Sequence, residues 1–312
     1  MKRIPGILIL TGGIGPEREI ALVTGDTMYS ALAGIYEVRL VELDGAEVPS
    51  EIAGDREIVF PALHGEFGED GVLQSILEER NILFAGSDSG SSRICIRKNL
   101  TKNKVAECGV RVVPGIFFTA PSLPPVDDIV EALGEDLVVK PDDKGSSIGL
   151  HLPRGRGELK GVLESLSEDS WLIETRIRGR EISVGILNGK ALGLVELCPG
   201  KGVYDYESKY QEGKTDYRFP AELDPAVEEE IREGAEKAFR VCGCRDFARV
   251  DFMLSGENQP YFMEVNTLPG LTPTSLLPKS ASCLGYSFAG LAQELVKPAM
   301  ERFNKALSGV NP

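Results

Sequence analysis

Histidine is nearly absent from this chain: 312 residues contain two, His64 and His151. The six cysteines (Cys95, Cys108, Cys198, Cys242, Cys244 and Cys283) offer one close pair, Cys242-Gly243-Cys244. That spacing matches neither a zinc pair nor a Cys-x-x-Cys redox motif, so a His/Cys metal centre is excluded and the thiols read as structural. No apolar run approaches the length of a membrane span. The longest candidate near the start, Gly6 to Thr11 in MKRIPGILILTGG, lacks a small-residue cleavage site and reads as a first strand. A cytoplasmic location is therefore expected. Excess positive charge is lacking too: 34 Lys and Arg face 48 Asp and Glu, a net charge of −14, which argues against nucleic acid or anionic membrane as a partner. There is no G-x-x-x-x-G-K-[ST] phosphate loop, no internal repeat and no low-complexity tract.

What is present is an ordinary globular composition, 42% hydrophobic and 26% charged, over a length that exceeds one efficient hydrophobic core. Two or three domains are expected. Apolar strands at 6–11, 37–43, 57–63 and 82–85 alternate with helical periodicity at 17–32 and 71–80, the pattern of a parallel sheet with helices on its faces. A polar GSDSGSS stretch at 86–92 marks a boundary, and a basic helix follows at 93–108. Strands at 137–140 and 171–174 belong to a small α+β unit. From Glu181 onward the chain reads as two strands, a polar loop at 201–218, a helix at 226–242, two strands (ARVDFML and PYFMEVN) and a last helix at 288–306. The expected domains are 1–96, an N-terminal parallel α/β unit, 97–177, a small α+β unit, and 178–312, a second α+β unit.

Four constellations carry chemistry. Asp251 and Glu264-Val265-Asn266 interrupt two otherwise apolar strands, and residues two apart on a strand face one side. An antiparallel hairpin turned at 255–259 brings them together as an oxygen-only site suited to Mg²⁺ on phosphate; a solvated strand face is the alternative. KPDDKGSSIG, Lys140 to Gly149, provides Gly145, Ser146 and Ser147 whose N–H groups can cover phosphate oxygens, although a plain turn-rich hairpin has the same composition. TGGIGPERE, Thr11 to Glu19, resembles a dinucleotide fingerprint but carries Arg18 where the last glycine belongs, so nicotinamide binding is excluded. Glu17 instead opens a helix, as a receptor for a ligand ammonium or simply as a carboxylate favoured by the helix dipole. YDYESKY, Tyr204 to Tyr210, lies in a long polar segment that reads as a lid or as a solvent loop.

Together with ALHGEFGEDGVLQSILE at 62–78, AGSDSGSS at 85–92 and EVNTLPGLTPTSLLP at 264–278, these motifs occur along the whole chain in the order found in the ATP-grasp superfamily. Within it the sequence resembles the D-alanine–D-alanine ligases. The resemblance implies an ATP-grasp fold, an N-terminal parallel α/β domain followed by two α+β domains that clamp ATP. It implies Lys98 and Lys140 on phosphates or the adenine-side pocket, Glu174 and Ile177 along adenine, Glu181 at the ribose and Lys209 at the γ-phosphate. Asp251, Glu264 and Asn266 would hold two Mg²⁺ ions (Mn²⁺ is also compatible), with Glu264 bridging. The first D-alanine ammonium would meet Glu17 in a pocket lined by His64. The second D-alanine carboxylate would meet Ser275 and the backbone of Leu276. Arg249 and the Gly270 N–H would stabilise the oxyanion, and Glu17, Ser146 and Tyr210 would form a hydrogen-bonded chain. A homodimer through the first domain is also implied.

The chain departs from the family pattern at Gly15, Arg97, Ala248 and Leu268. Gly15 and Leu268 border the two substrate sites, so two other readings fit: an ATP-grasp ligase with a different substrate pair, and a catalytically silent nucleotide-binding module.

Overall fold

The computed structural model describes residues 4–52, 54, 56–167, 169–199 and 215–308. The apolar run near the start forms β1 (Gly6–Gly12), buried from its second residue to its last. β2 (Val38–Leu43) and β3 (Glu57–Pro61) flank it in the order β2-β1-β3, both parallel to it. The helix joining β1 to β2, α1 (Arg18–Leu32), lies close on the sheet. A Cβ at Gly25 would come within 2.6 Å of Thr11 Oγ1, and that hydroxyl donates to Ala21 O at 2.6 Å. Glycine is therefore the residue that lets α1 seat on β1. After α2 (Val72–Glu79), the strand expected at 82–85 is reduced to one parallel bridge, Val59 with Phe84.

The 86–108 region differs from its sequence reading. Instead of a polar linker and one basic helix there are two helices, α3 (Ser89–Ile96) and α4 (Lys98–Glu107). Asp88 caps the first by accepting from Ser91 N at 2.8 Å, which makes a serine-rich start helical. Arg97, with φ −90° and ψ 101°, breaks the run and turns Lys98 inward.

A second sheet has the order β4-β6-β5 and is antiparallel: β4 (Gly115–Thr119), β5 (Leu137–Pro141) and β6 (Ser170–Thr175). The sequence pattern indicated β5 and β6 but neither β4 nor the helices α5 (Val126–Leu133) and α6 (Gly155–Ser165). This sheet has its own core, including Phe118, Ile129, Val139, Leu159 and Trp171.

The third sheet is antiparallel in the order β11-β10-β7-β8-β9. Its strands are β7 (Gly179–Leu187), β8 (Lys190–Pro199), β9 (Thr215–Arg218), β10 (Phe247–Ser255) and β11 (Pro260–Asn266). β9 replaces the end of the expected loop. α7 (Pro225–Val241) packs on one face, while α8 (Leu276–Ser282) and α9 (Phe288–Leu307) follow.

The first and third sheets share one core: Ile7, Phe60, Phe247, Leu268 and Leu295 belong to a single cluster, with Phe60 stacked on Phe247 at 6.0 Å. A buried polar latch joins them as well. Arg302 on α9 donates to Asp246 Oδ1 at 2.7 Å and Oδ2 at 2.6 Å and to Phe84 O at 2.8 Å, while Asp246 Oδ2 also accepts from Gly86 N at 2.9 Å. No helix among the described residues is long and apolar enough to cross a membrane.

Candidate active site

A cleft of about 1170 Å³ is lined by residues from all three sheet regions, from Glu17 and His64 through Lys140 and Glu174 to Asp251 and Leu276. Its roof is the loop after β5. Ser146 and Ser147 have φ of +51° and +57°, a left-handed conformation that side chains disfavour. Two consecutive residues held there are a strained feature of the sort that clusters at ligand clamps. The loop is tied down at both ends. Lys98 Nζ donates to Lys144 O at 2.7 Å, and Asp142 accepts from Asn99 N at 2.7 Å while its carbonyl accepts from Lys98 N at 3.0 Å. At its tip the Ser146 hydroxyl donates to Glu17 Oε1 at 2.5 Å.

Three lysines crowd one end of the cleft. Glu174 is buried between Lys102 and Lys140, the latter at 2.7 Å. Burial works to raise the Glu174 carboxyl, but Lys140 and Lys102 together outweigh it and the net shift is downward. Burial also opposes the Lys140 ammonium, and there too Glu174 outweighs it, so Lys140 moves up. Lys102 moves down because burial dominates its share of the same carboxylate. Burial likewise lowers Lys98, which has Glu264 Oε2 at 3.7 Å as its nearest carboxylate.

The opposite wall is β10 and β11. Asp251 pairs in register with Glu264, and Arg249 with Asn266. Arg249 and Asp251, two apart, present side chains to the same face. Arg249 Nε lies 3.0 Å from Asp251 Oδ1 and its Nη2 2.9 Å from Oδ2, while Ser183 on β7 donates to Oδ1 at 2.7 Å. The donor set fits Mg²⁺: two carboxylates in register and an amide two residues on, all hard oxygen ligands. Among the described residues no group of three or more His, Cys, Asp or Glu could hold a metal ion by itself. An ion there would be held by Asp251, Glu264 and Asn266, with room for phosphate oxygens and water as at Mg²⁺ on nucleotides.

His64 is fixed from both sides: Nδ1 is 3.1 Å from Leu268 O, and Nε2 is 3.0 Å from Thr24 Oγ1. Since a carbonyl only accepts, Nδ1 donates to Leu268 O. Near the far end Gly270 approaches Ser275 closely; a Cβ there would sit 3.0 Å from Ser275 Oγ. That hydroxyl is engaged by Thr272 N at 3.1 Å and Thr272 Oγ1 at 2.9 Å.

Seventeen of the residues singled out from sequence line this cleft: Glu17, His64, Lys98, Lys140, Gly145, Ser146, Ser147, Glu174, Ile177, Glu181, Arg249, Asp251, Glu264, Asn266, Gly270, Ser275 and Leu276. Lys209 and Tyr210 lie outside the described residues. The sequence reading missed Glu69, Lys102, Ser183 and Lys279. Glu69 is close to His64 Nδ1, at 3.6 Å, and burial raises its carboxyl. It stands five residues after His64 in HGEFGED, a spacing that signals nothing until the loop folds back. Lys102 was legible only as the helical neighbour of Lys98, one turn on.

A strained glycine-serine loop, a lysine-rich end and a carboxylate pair, enclosed between two antiparallel sheets, define an ATP-grasp enzyme. The comparisons narrow this. Residues 105–297 match the family model described as D-ala D-ala ligase C-terminus. A D-alanine–D-alanine ligase of Anaeromyxobacter sp. (strain K) is 38% identical over 297 residues, covering 94% of this chain and 96% of the relative. That of Citrifermentans bemidjiense is 38% identical over 297 residues, covering 94% and 95%. Among solved structures, the D-alanine–D-alanine ligase from Bacillus anthracis complexed with ATP superposes with a TM-score of 0.85 at 30% identity, covering 97% of this chain and 100% of that one. The chain belongs to the D-alanine–D-alanine ligase family.

Proposed function

We propose that this chain joins two molecules of D-alanine to D-alanyl-D-alanine, converting ATP to ADP and phosphate, as a step in peptidoglycan precursor synthesis. The observation that carries the reading is the meeting of Ser146 and Glu17 at 2.5 Å over a cleft whose other wall holds Arg249, Asp251 and Glu264. One arm of that contact belongs to the phosphate loop and the other to a carboxylate able to hold a substrate ammonium. Full-length relatives at 38% identity support the same activity.

Three units, 1–96, 97–177 and 178–312, each built on one sheet, enclose the substrates in this reading. ATP lies between the second and third, its adenine along Glu174 and Ile177, its ribose at Glu181. Its phosphates lie beneath Gly145, Ser146 and Ser147, beside Lys98 and Lys140, with Lys209 reaching the γ-phosphate. Asp251, Glu264 and Asn266 hold Mg²⁺, which when bound neutralises charge on the transferring phosphoryl group.

Glu17 receives the ammonium of the first D-alanine, and His64, held between Leu268 O and Thr24 Oγ1, lines its pocket. The carboxylate of that D-alanine attacks the γ-phosphoryl group and ADP leaves, giving D-alanyl phosphate. Ser275 and the Leu276 backbone place the second D-alanine by its carboxylate, so that its amine attacks the acyl carbon and phosphate leaves. Arg249 and the Gly270 N–H stabilise the oxyanion that forms, as preorganised donors do in acyl transfer. Ser146, Glu17 and Tyr210 close over the substrates and exclude water, which otherwise hydrolyses an acyl phosphate. A homodimer in the cytoplasm completes the proposal.

The test is product identification with ATP, Mg²⁺ and D-alanine. ADP release matched by D-alanyl-D-alanine, abolished by a chelator and restored by Mg²⁺, is the expected result. Turnover confined to another acceptor, such as D-serine or D-lactate, overturns it. That arm matters because a D-Ala:D-Ser ligase from Enterococcus faecalis superposes with a TM-score of 0.82 at 25% identity.

A further inference from the structure

Between Val250 and Val296 the sequence contains one lysine or arginine, Lys279. That segment supplies the whole wall of the cleft from Asp251 to the end of α8, a wall that also bears Glu264. Lys279 lies on the cleft, half-buried, one helical turn after Ser275: its N–H donates to Ser275 O at 3.2 Å. Ser275 caps the helix and Lys279 follows one turn on, and both line the cleft.

The surroundings of the ammonium set it apart from the ion-paired cations of the cleft. Arg249 is paired with Asp251, Arg180 with Glu196, Lys140 with Glu174 and Lys98 with Glu264. Lys279 has no carboxylate at ion-pair distance among the described residues. Its Nζ donates to Thr274 O and stands 4.5 Å from the centre of the Tyr217 ring. An aromatic face orients a cation and favours its charged form. An ammonium has three donors, and Thr274 takes one. Burial lowers the Lys279 ammonium from its ordinary value, the desolvation cost of a charge with no anion beside it. A carboxylate arriving from solvent removes that cost.

We infer that Lys279 is a second anchor for the acceptor amino acid, an ammonium that binds the acceptor's carboxylate beside Ser275 and so selects acceptors that carry one. This rests on the ligase reading above and adds a charge to a subsite otherwise made of a hydroxyl and a backbone N–H. On a wall that also bears Glu264, in a chain of net charge −14, the acceptor's carboxylate is favoured by a cation placed beside it.

Steady-state kinetics of Lys279→Met and Lys279→Arg at saturating ATP test it, with D-alanine and D-alaninamide as alternative acceptors. Loss of a charged hydrogen bond raises KM for acceptor D-alanine about ten- to a hundredfold in Lys279→Met. KM for ATP does not move, and Lys279→Arg recovers most of the acceptor affinity. With D-alaninamide, which has no carboxylate, wild type and Lys279→Met are expected to match. Overturning results are an unmoved acceptor KM with a lowered Tm, which makes Lys279 a packing residue against Tyr217, or an equal loss for both acceptors. Failure of wild type itself to make D-alanyl-D-alanine overturns the ligase reading, and this inference with it. Dipeptide formation by wild type with an unmoved KM in Lys279→Met overturns the inference alone.

Discussion

The Ser146 hydroxyl donates to the Glu17 carboxylate at 2.5 Å across 129 positions of sequence. The loop after β5 is thereby fastened to the N-terminus of α1, and in the proposed reaction this ties the nucleotide side of the cleft to the amino-acid side. Gly65, with φ +66°, makes room: a Cβ there would come within 2.4 Å of Glu17 Oε2.

Ser146→Ala removes a hydrogen bond to a charged group, worth about 1.5–3 kcal/mol. If the contact holds the loop in its reactive position, kcat falls about ten- to a hundredfold. Glu17→Gln keeps the shape and removes the charge, so its larger effect falls on KM for the first D-alanine. Initial-rate kinetics with the two D-alanine sites fitted separately check this; equal KM values in wild type and Glu17→Gln would remove Glu17 from the ammonium site.

Arg249→Ala is expected to lower kcat about a hundredfold or more, the magnitude seen when a preorganised oxyanion donor is lost. Arg249→Lys recovers little, because one ammonium cannot reproduce the fork on Asp251. A change under tenfold in kcat for Arg249→Ala rules the role out.

Asp251→Asn acts on two things at once. It weakens an oxygen ligand of the proposed Mg²⁺ site and leaves Arg249 and Ser183 without their shared carboxylate. The expected result is a rise of about tenfold or more in the Mg²⁺ concentration for half-maximal activity. Mg²⁺ titrations of turnover in wild type and Asp251→Asn check this, and coincident curves would exclude Asp251 from the metal site.

Glu174→Gln leaves Lys102 and Lys140 buried beside a neutral amide, and breaking a buried pair this way costs about 3–5 kcal/mol. The pH dependence has a definite sign. The folded-state pKa of Glu174 is depressed, so its stabilisation is full above the ordinary glutamate value and is lost as pH falls through the depressed one. Urea unfolding is expected to separate wild type and Glu174→Gln most near neutrality and to bring them together only once the pH has fallen below the depressed value, in the acid range under the ordinary glutamate pKa. A gap independent of pH would contradict the assignment.

Asp246→Ala opens the latch between the first and third sheets. Arg302 loses both carboxylate oxygens and Gly86 N its acceptor, a loss of about 3–5 kcal/mol. Asp246 does not line the cleft, so Tm drops while kcat measured well below Tm stays near wild type. An unchanged Tm would show that the shared apolar core alone holds the two regions together.

Strands were legible wherever they are buried on both faces, as β1 and β5 are, because a short apolar run between glycines or prolines has few other uses. β4 escaped notice because Phe117 is 41% exposed and its neighbours alternate weakly. α8 was hidden by Pro278 inside TPTSLLPKSAS, although proline is tolerated in the first turn of a helix. The break at Arg97 has no local signature at all; it is held by Asp142, 43 residues away from Asn99.

By itself the sequence determined the order of apolar and polar segments, the carboxylates and amide on two strands and the glycine-serine loop, because these depend on residue type and spacing alone. The tertiary structure alone decided which charges meet. Glu174 became the shared partner of two lysines, Lys98 the neighbour of Glu264, and Lys279 the neighbour of the Tyr217 ring. The physical reason is that ion pairing and burial depend on through-space distance, and hydrogen bonds spanning 40 to 200 positions leave no trace in local spacing.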